Sequence, residues 1–170
     1  YPLNVIFLIL PVNLAAIIFY LLHFIIAALA TYFLARSFSF SPLSSFASAL
    51  LYSFSIKMLL HLSAGHITMV SAFAYFPLVF LAIRKILIQH KGFNWIVLGA
   101  LSLTFILALY PTVFYYTVIF LAFYVLYFVA IRPVEKKSIV SFIKKYLSLG
   151  LHVLKGMENA STLSVVLLSE

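Results

Sequence analysis

Apolar residues in this chain run in long blocks, broken by short polar or proline-bearing joints. A membrane crossing needs about 20 consecutive apolar residues, and five blocks approach or reach that length. They are 12–35, 43–62, 66–83, 93–109 and 112–131. The pattern predicts an all-α, polytopic integral membrane bundle of about five transmembrane helices in a core spanning 1–131. The first ten residues, YPLNVIFLIL, lie between Pro2 and Pro11 and are too short to cross. They read as an interfacial or re-entrant segment.

The joints carry local signals. Ser41-Pro42 reads as an N-cap followed by the proline of a first helical turn. Ser44, Ser45, Ala47, Ser48 and Ala49 open the second span with small residues that let helices approach closely in lipid. Gly65 lets the chain turn before the third span. Pro77 lies inside that span, where it removes one backbone donor and frees the carbonyl of Phe73. Trp95 occupies an interfacial anchor position at the start of the fourth span, and Pro111 separates the fourth from the fifth.

Beyond 131 the pattern changes. Lys137, Ser141, Lys144, Lys145, Ser148, His152 and Lys155 recur every three or four residues, opposite Ile139, Val140, Ile143 and Leu147. Residues 132–155 therefore read as a basic amphipathic helix suited to a membrane surface. The tail, 156–170, shows no clear period.

Composition sharpens this picture. The chain is 66% hydrophobic and 8% charged, against about 25% charged in soluble domains. Its net charge is +8, but the cations sit between apolar spans, so topology and anionic lipid account for them and no nucleic-acid partner is expected. Arg36, the loop from Arg84 to Lys91, and the segment from Arg132 to Lys145 all fall on one side of a five-span arrangement. Lys57 alone falls on the other. Positive residues mark the cytoplasm, so the expectation is a plasma-membrane protein with its N-terminus outside and its C-terminus inside. The chain opens on Tyr1 with no signal-peptide pattern, and is expected to be a segment of a longer protein.

The chemistry available is narrow. There is no cysteine and no aspartate, and the three glutamates are Glu135, Glu158 and Glu170. No histidine before Val134 has a carboxylate to orient it, and there is neither a serine-hydrolase motif nor a phosphate-cradling glycine loop. The organising stretch is Lys57 to Lys85, histidine-bearing at one end and cationic at the other. Lys57 and His61 share a helix face, and His66 follows across the Gly65 turn. Together they form a candidate substrate-binding cluster for a phosphate or pyrophosphate. The plainer alternative is a lysine snorkelling to the headgroups beside histidines that cap helix ends. Tyr110, with Tyr115 and Tyr116, is placed either to stack on a sugar or to belong to the aromatic belt. Two histidines make no metal site by themselves. His23, inside the first span, lacks a carboxylate for a proton relay and is expected to bond a tyrosine hydroxyl or a backbone carbonyl.

The order of YPLN, LHFIIAALATYFLAR, LLYSFS, AGH, FAYFPLVFLAIRK and ALYPTVFYYTV resembles the membrane core of the YfhO-like proteins, within the GT-C type of polytopic glycosyltransferases. The resemblance covers about 1–131. It is carried by Tyr1, Pro2, His23, Tyr32, Arg36, Gly65, His66, Pro77 and Pro111. Tyr110 and Thr112 depart from the family's usual Gly or His and Gln around the last proline. The resemblance implies an enzyme that takes a sugar from a polyprenyl-phosphate carrier on the outer face. Its acidic motif and any divalent metal would lie in the full-length protein outside this segment, so these 170 residues alone are expected to transfer no sugar. A transporter or flippase subunit, with His23 and Pro77 lining a path, and a non-catalytic membrane scaffold are the competing readings.

Overall fold

The computed structural model describes residues 1–89 and 92–131. A 3-10 turn, Pro2–Val5, leads into α1 (Ile6–Ile9) and then α2 (Val12–Ser37). Next come α3 (Pro42–Ser53), α4 (Ile56–Ser63), α5 (Ile67–Gln89), α6 (Phe93–Leu109) and α7 (Pro111–Ile131). No strand occurs among the described residues. Four stretches are long and apolar enough to cross a membrane: Val12–Ser37, Pro42–Ser63, Ile67–Ile88 and Pro111–Phe128. Phe93–Leu109 is a shorter apolar helix. The chain is a helical membrane protein. The basic amphipathic helix expected at 132–155 and the tail at 156–170 lie outside the described residues.

Two spans differ from the sequence expectation. The second is not one helix, because it breaks at Phe54-Ser55 and restarts as α4. The third runs on through Arg84 and Lys85 to Gln89. Cations end an apolar crossing, but they do not end a helix, which needs a residue that disrupts its hydrogen-bond ladder.

The chain divides into two compact units, Tyr1–Ala122 and Phe123–Glu170. In the second, the described residues are the last turns of α7, where the rings of Tyr124 and Phe128 lie 6.5 Å apart. In the first, α5 is central and packs against α2, α4 and α6. The chain returns through α3 and α4, so α2 and α5 run parallel, with His23 near Tyr75 and Ser37 near Arg84. The α5–α6 pair is antiparallel, matching Tyr75 with Phe105 and Lys85 with Trp95. Between these matches α6 presents Gly99 to Ala82. A Cβ built on Gly99 would lie 3.2 Å from that of Ala82.

Small residues mark the buried faces. Ala15, Phe19, His23, Ala27 and Ala30 form the inner face of α2, and Ser45, Ala49 and Ser53 that of α3. With lipid as apolar as the helices themselves, close backbone approach through such residues drives packing. Ser102 donates to Leu98 O at 2.7 Å and Thr117 to Val113 O at 2.7 Å, each within its own helix, whereas the buried hydroxyls of Thr31, Ser45 and Ser53 have no hydrogen-bond partner among the described residues.

Two helix ends share one motif. After α4, the Gly65 amide bonds to Leu62 O at 3.1 Å and the His66 amide to His61 O at 2.9 Å, with Gly65 at φ 72°. This is a Schellman cap with glycine in the left-handed position. After α2, the Ser39 amide bonds to Arg36 O at 3.0 Å and the Phe40 amide to Ala35 O at 3.4 Å, but the left-handed residue is Ser39, at φ 66°. A side chain in that region costs about 1–2 kcal/mol relative to glycine, partly offset by glycine's larger loss of chain entropy on folding. Ser39→Gly is therefore expected to stabilise the bundle by about 0.5–1 kcal/mol, read as a raised midpoint of unfolding in mixed detergent. The start of α3 follows its sequence signal: Ser41 Oγ accepts the Ser44 amide at 3.1 Å, and Pro42 opens the first turn.

Candidate functional site

Lys57 lies in the first turn of α4, just past the Phe54-Ser55 break, and its side chain reaches the face of α5. Its Nζ sits 4.4 Å from the centroid of the Phe73 ring. The His61 ring, one turn later, lies nearly parallel to the same ring, 15° between planes and 6.3 Å between centroids. The Schellman turn at Gly65 then brings His66 back, with its ring 5.7 Å from that of His61. Phe73 is thus the platform that gathers the cluster, and the spacing of Lys57, His61 and His66 along the chain did not reveal it.

Two cavities flank Lys57, both bounded by Phe73 and Phe76. One, of about 150 Å³, is completed by Tyr52, Ser55 and Met58. The other, of about 260 Å³, extends to Met69, Tyr110, Thr112, Val113, Tyr116 and Phe120. The structure therefore places Lys57 and Tyr110 on one cavity, while His61 and His66 sit beside Lys57 outside both linings. Tyr116 shares the larger cavity, and Tyr115 is exposed. No hydrogen bond or ion pair engages the Lys57 ammonium among the described residues, and no carboxylate precedes Glu135 in the sequence. The arrangement is one exposed cation at the mouth of aromatic-walled space, suited to an amphipathic anion. A separate, wholly apolar groove of about 310 Å³ runs between α2 and the stretch from Phe54 into α4, lined by Tyr20, Phe24, Phe54 and Leu59 among others.

Pro77 shapes this region through Phe73. The carbonyl that proline leaves without a helical donor accepts the Tyr52 hydroxyl at 2.8 Å. That bond ties the end of α3 to α5 just before the break that presents Lys57.

A second polar group lies deeper. His23 is buried, and its Nδ1 lies 2.7 Å from Phe19 O and its Nε2 2.8 Å from the Tyr1 hydroxyl. A carbonyl only accepts, so Nδ1 carries the proton, and in the neutral ring Nε2 accepts from Tyr1. The Tyr1 oxygen is then the acceptor for the Tyr75 hydroxyl, with which it is in hydrogen-bond contact. The sequence pointed to a tyrosine or a carbonyl as the partner of His23, and the structure supplies both. The ring of Tyr1 packs against Phe19, Tyr75 and Phe105. Burial pushes its phenol above the ordinary value, which keeps it protonated at physiological pH.

The residues do not fit a resident metal. No group of three His, Asp or Glu side chains gathers among the described residues, and two histidines fall short of the three protein ligands of a catalytic zinc site. At the far end of the bundle, Arg84 donates to Ser37 O at 3.0 and 3.2 Å, and its guanidinium lies 3.6 Å from the Phe38 ring centroid. This caps the exposed carbonyls of α2. Comparison of the chain with protein families, curated proteins and solved structures gives no match.

Proposed function

We propose that the chain forms the lipid-phosphate-binding part of a membrane glycosyltransferase of the GT-C type. It would use a polyprenyl-phosphate-linked sugar on the outer face of the plasma membrane. The observation that carries this reading is Lys57, set at the mouth of two aromatic-walled cavities and shared in the larger one with Tyr110. The cation suits the phosphate, the aromatic rings suit a sugar face, and the apolar groove between α2 and α4 suits isoprenoid chain. The clustering of cations at the Arg36 and Arg84 end supports five spans with the N-terminus outside. Chemistry at the sugar would need a carboxylate from elsewhere, since none precedes Glu135.

The test compares polyprenyl phosphate with the uncharged polyprenol, binding each to the chain in lipid nanodiscs. A charge-assisted hydrogen bond contributes about 1.5–3 kcal/mol, so the phosphate is expected to confer about tenfold or more tighter binding. Lys57→Ala should remove most of that advantage, and His66→Ala part of it. Equal binding of the two lipids, or a phosphate preference untouched by Lys57→Ala, would leave Lys57 as a headgroup-seeking lysine.

A transporter is the second reading, favoured by the Tyr75–Tyr1–His23 chain of hydrogen bonds. It requires proton-coupled flux in vesicles that His23→Gln abolishes while polyprenyl-phosphate binding is unchanged.

A further inference from the structure

His61 and His66 stand beside the Lys57 cation, yet neither lines its cavities. His61 is half-buried and shares both a face of α4 and the Phe73 ring with Lys57. His66 is exposed, with its ring 5.7 Å from that of His61. The described residues contain no aspartate or glutamate, so the cluster has no anion of its own within them. Histidine is the side chain that ordinarily changes charge near neutral pH. The other titratable groups around the cluster are phenols, which ionise near about pH 10. From α3 comes Tyr52, whose hydroxyl is given to Phe73 O. Tyr110 and Tyr116 border the larger cavity. From α2, Tyr20 lines the apolar groove, and the two ring nitrogens of His23 are held by Phe19 O and the Tyr1 hydroxyl. On α5, Tyr75 turns toward Tyr1 and Phe105, while Arg84 and Lys85 lie at the other end, beside Ser37 and Trp95.

We propose, resting on Lys57 as the phosphate-binding cation, that anion binding there is linked to proton uptake by His61 and His66. The site then tightens its hold on the anion as the pH falls. A negative charge docked at Lys57 favours the charged form of the imidazoles beside it. By linkage, protons held on those rings favour the anion to the same extent. The direction follows. Above the histidine range both rings are neutral with or without ligand, and Lys57 attracts the anion alone. Below it both rings are cationic and add to the attraction. Affinity therefore rises as the pH falls through that range and is flat on either side of it. His61 carries the larger share, because it shares the Phe73 platform with Lys57. His66 stands one ring further out, in water. Both histidines act by the charge they bring near Lys57 and not by lining the space that the ligand fills.

The probe is the methyl phosphodiester of a polyprenol. It keeps one negative charge throughout, unlike a phosphate monoester, whose second proton leaves near about pH 6. Its binding to the full chain in phosphatidylcholine nanodiscs is compared with that of the uncharged polyprenol, at about pH 8 and about pH 6. A charge pair at a wet surface contributes up to about fivefold. The diester's advantage over polyprenol is therefore expected to grow about fivefold at the lower pH. His61→Gln should remove most of that growth, His66→Gln a lesser part, and the double variant all of it. Polyprenol binding reports whether each variant is folded. Calorimetry of the unaltered chain, in buffers of differing ionisation enthalpy, should show net proton uptake as the diester binds, a result that needs no variant. A Lys57-dependent preference of equal size at both pH values, with no proton taken up, overturns the linkage and leaves Lys57 as the phosphate-binding cation. Absence of any preference at either pH removes that role for Lys57 and the linkage with it. A pH dependence that survives the double glutamine variant overturns the assignment to these two histidines, and its loss in His23→Gln would place the proton in the buried chain instead.

Discussion

Replacing Tyr52 with phenylalanine is expected to destabilise the bundle by about 1–3 kcal/mol, the cost of a buried acceptor left without a donor. The phenol gives its proton to Phe73 O, the carbonyl that Pro77 deprives of its helical partner. Within a bilayer no water replaces it. The diagnostic result is the pairing. In a Pro77→Ala background, the restored amide at 77 bonds to Phe73 O, and Tyr52→Phe should then be close to neutral. Each variant is followed by circular dichroism through unfolding in mixed detergent. The double-mutant coupling isolates this one acceptor. Equal losses from Tyr52→Phe in both backgrounds would show that Tyr52 matters by packing and not by satisfying that carbonyl.

A larger loss is expected from Gly99→Leu. The first added carbon would already lie 3.2 Å from Ala82 Cβ, and the remainder has nowhere to go unless α5 and α6 separate. Overpacking of this kind costs about 3 kcal/mol at the upper end of the usual range. Gly99→Ala needs a shift of only a few tenths of an ångström and should be mild. The exchange Ala82→Gly/Gly99→Ala, which moves the methyl from one helix to the other, should recover most of any loss. Failure of the exchange, with Gly99→Leu tolerated, would mean that the two helices do not meet at this register.

The residues that punctuate the chain were legible before any fold was known. Ser41-Pro42 caps α3 as read, Gly65 turns the chain after α4, and Pro77 exposes a carbonyl that demands a donor. Sequence alone did not say that the donor is Tyr52, because nothing in a run of apolar residues tells which face is buried. Helices that are apolar all round bury one side in protein and another in lipid with no change of residue class. Only the small residues distinguish the sides, as along Ala15, Ala27 and Ala30 in α2. The same blindness hid Phe73, which reads as one apolar residue among many and becomes the shared platform for Lys57 and His61. Ser39 escaped notice for another reason: its left-handed conformation is imposed by the path from α2 to α3, not by its own preference. The break at Phe54-Ser55 likewise has no proline or glycine to announce it.

The brevity of α6 bears on the membrane itself. At 17 residues, Phe93–Leu109 rises about 25 Å, some 5 Å less than the hydrocarbon thickness of a typical bilayer. Were α6 to cross, as the proposed five-span arrangement requires, tilting would only shorten its reach further, and thinning of the lipid beside it would meet the deficit. Thinning draws both sheets of headgroups inward on one flank of the bundle. Those headgroups would approach Trp95 at one end of α6 and Tyr110, which borders the larger Lys57 cavity, at the other. Bilayers of shorter acyl chains should therefore bring headgroups to both ends of α6 at once, making membrane thickness a control on what reaches them that no side chain of this protein titrates.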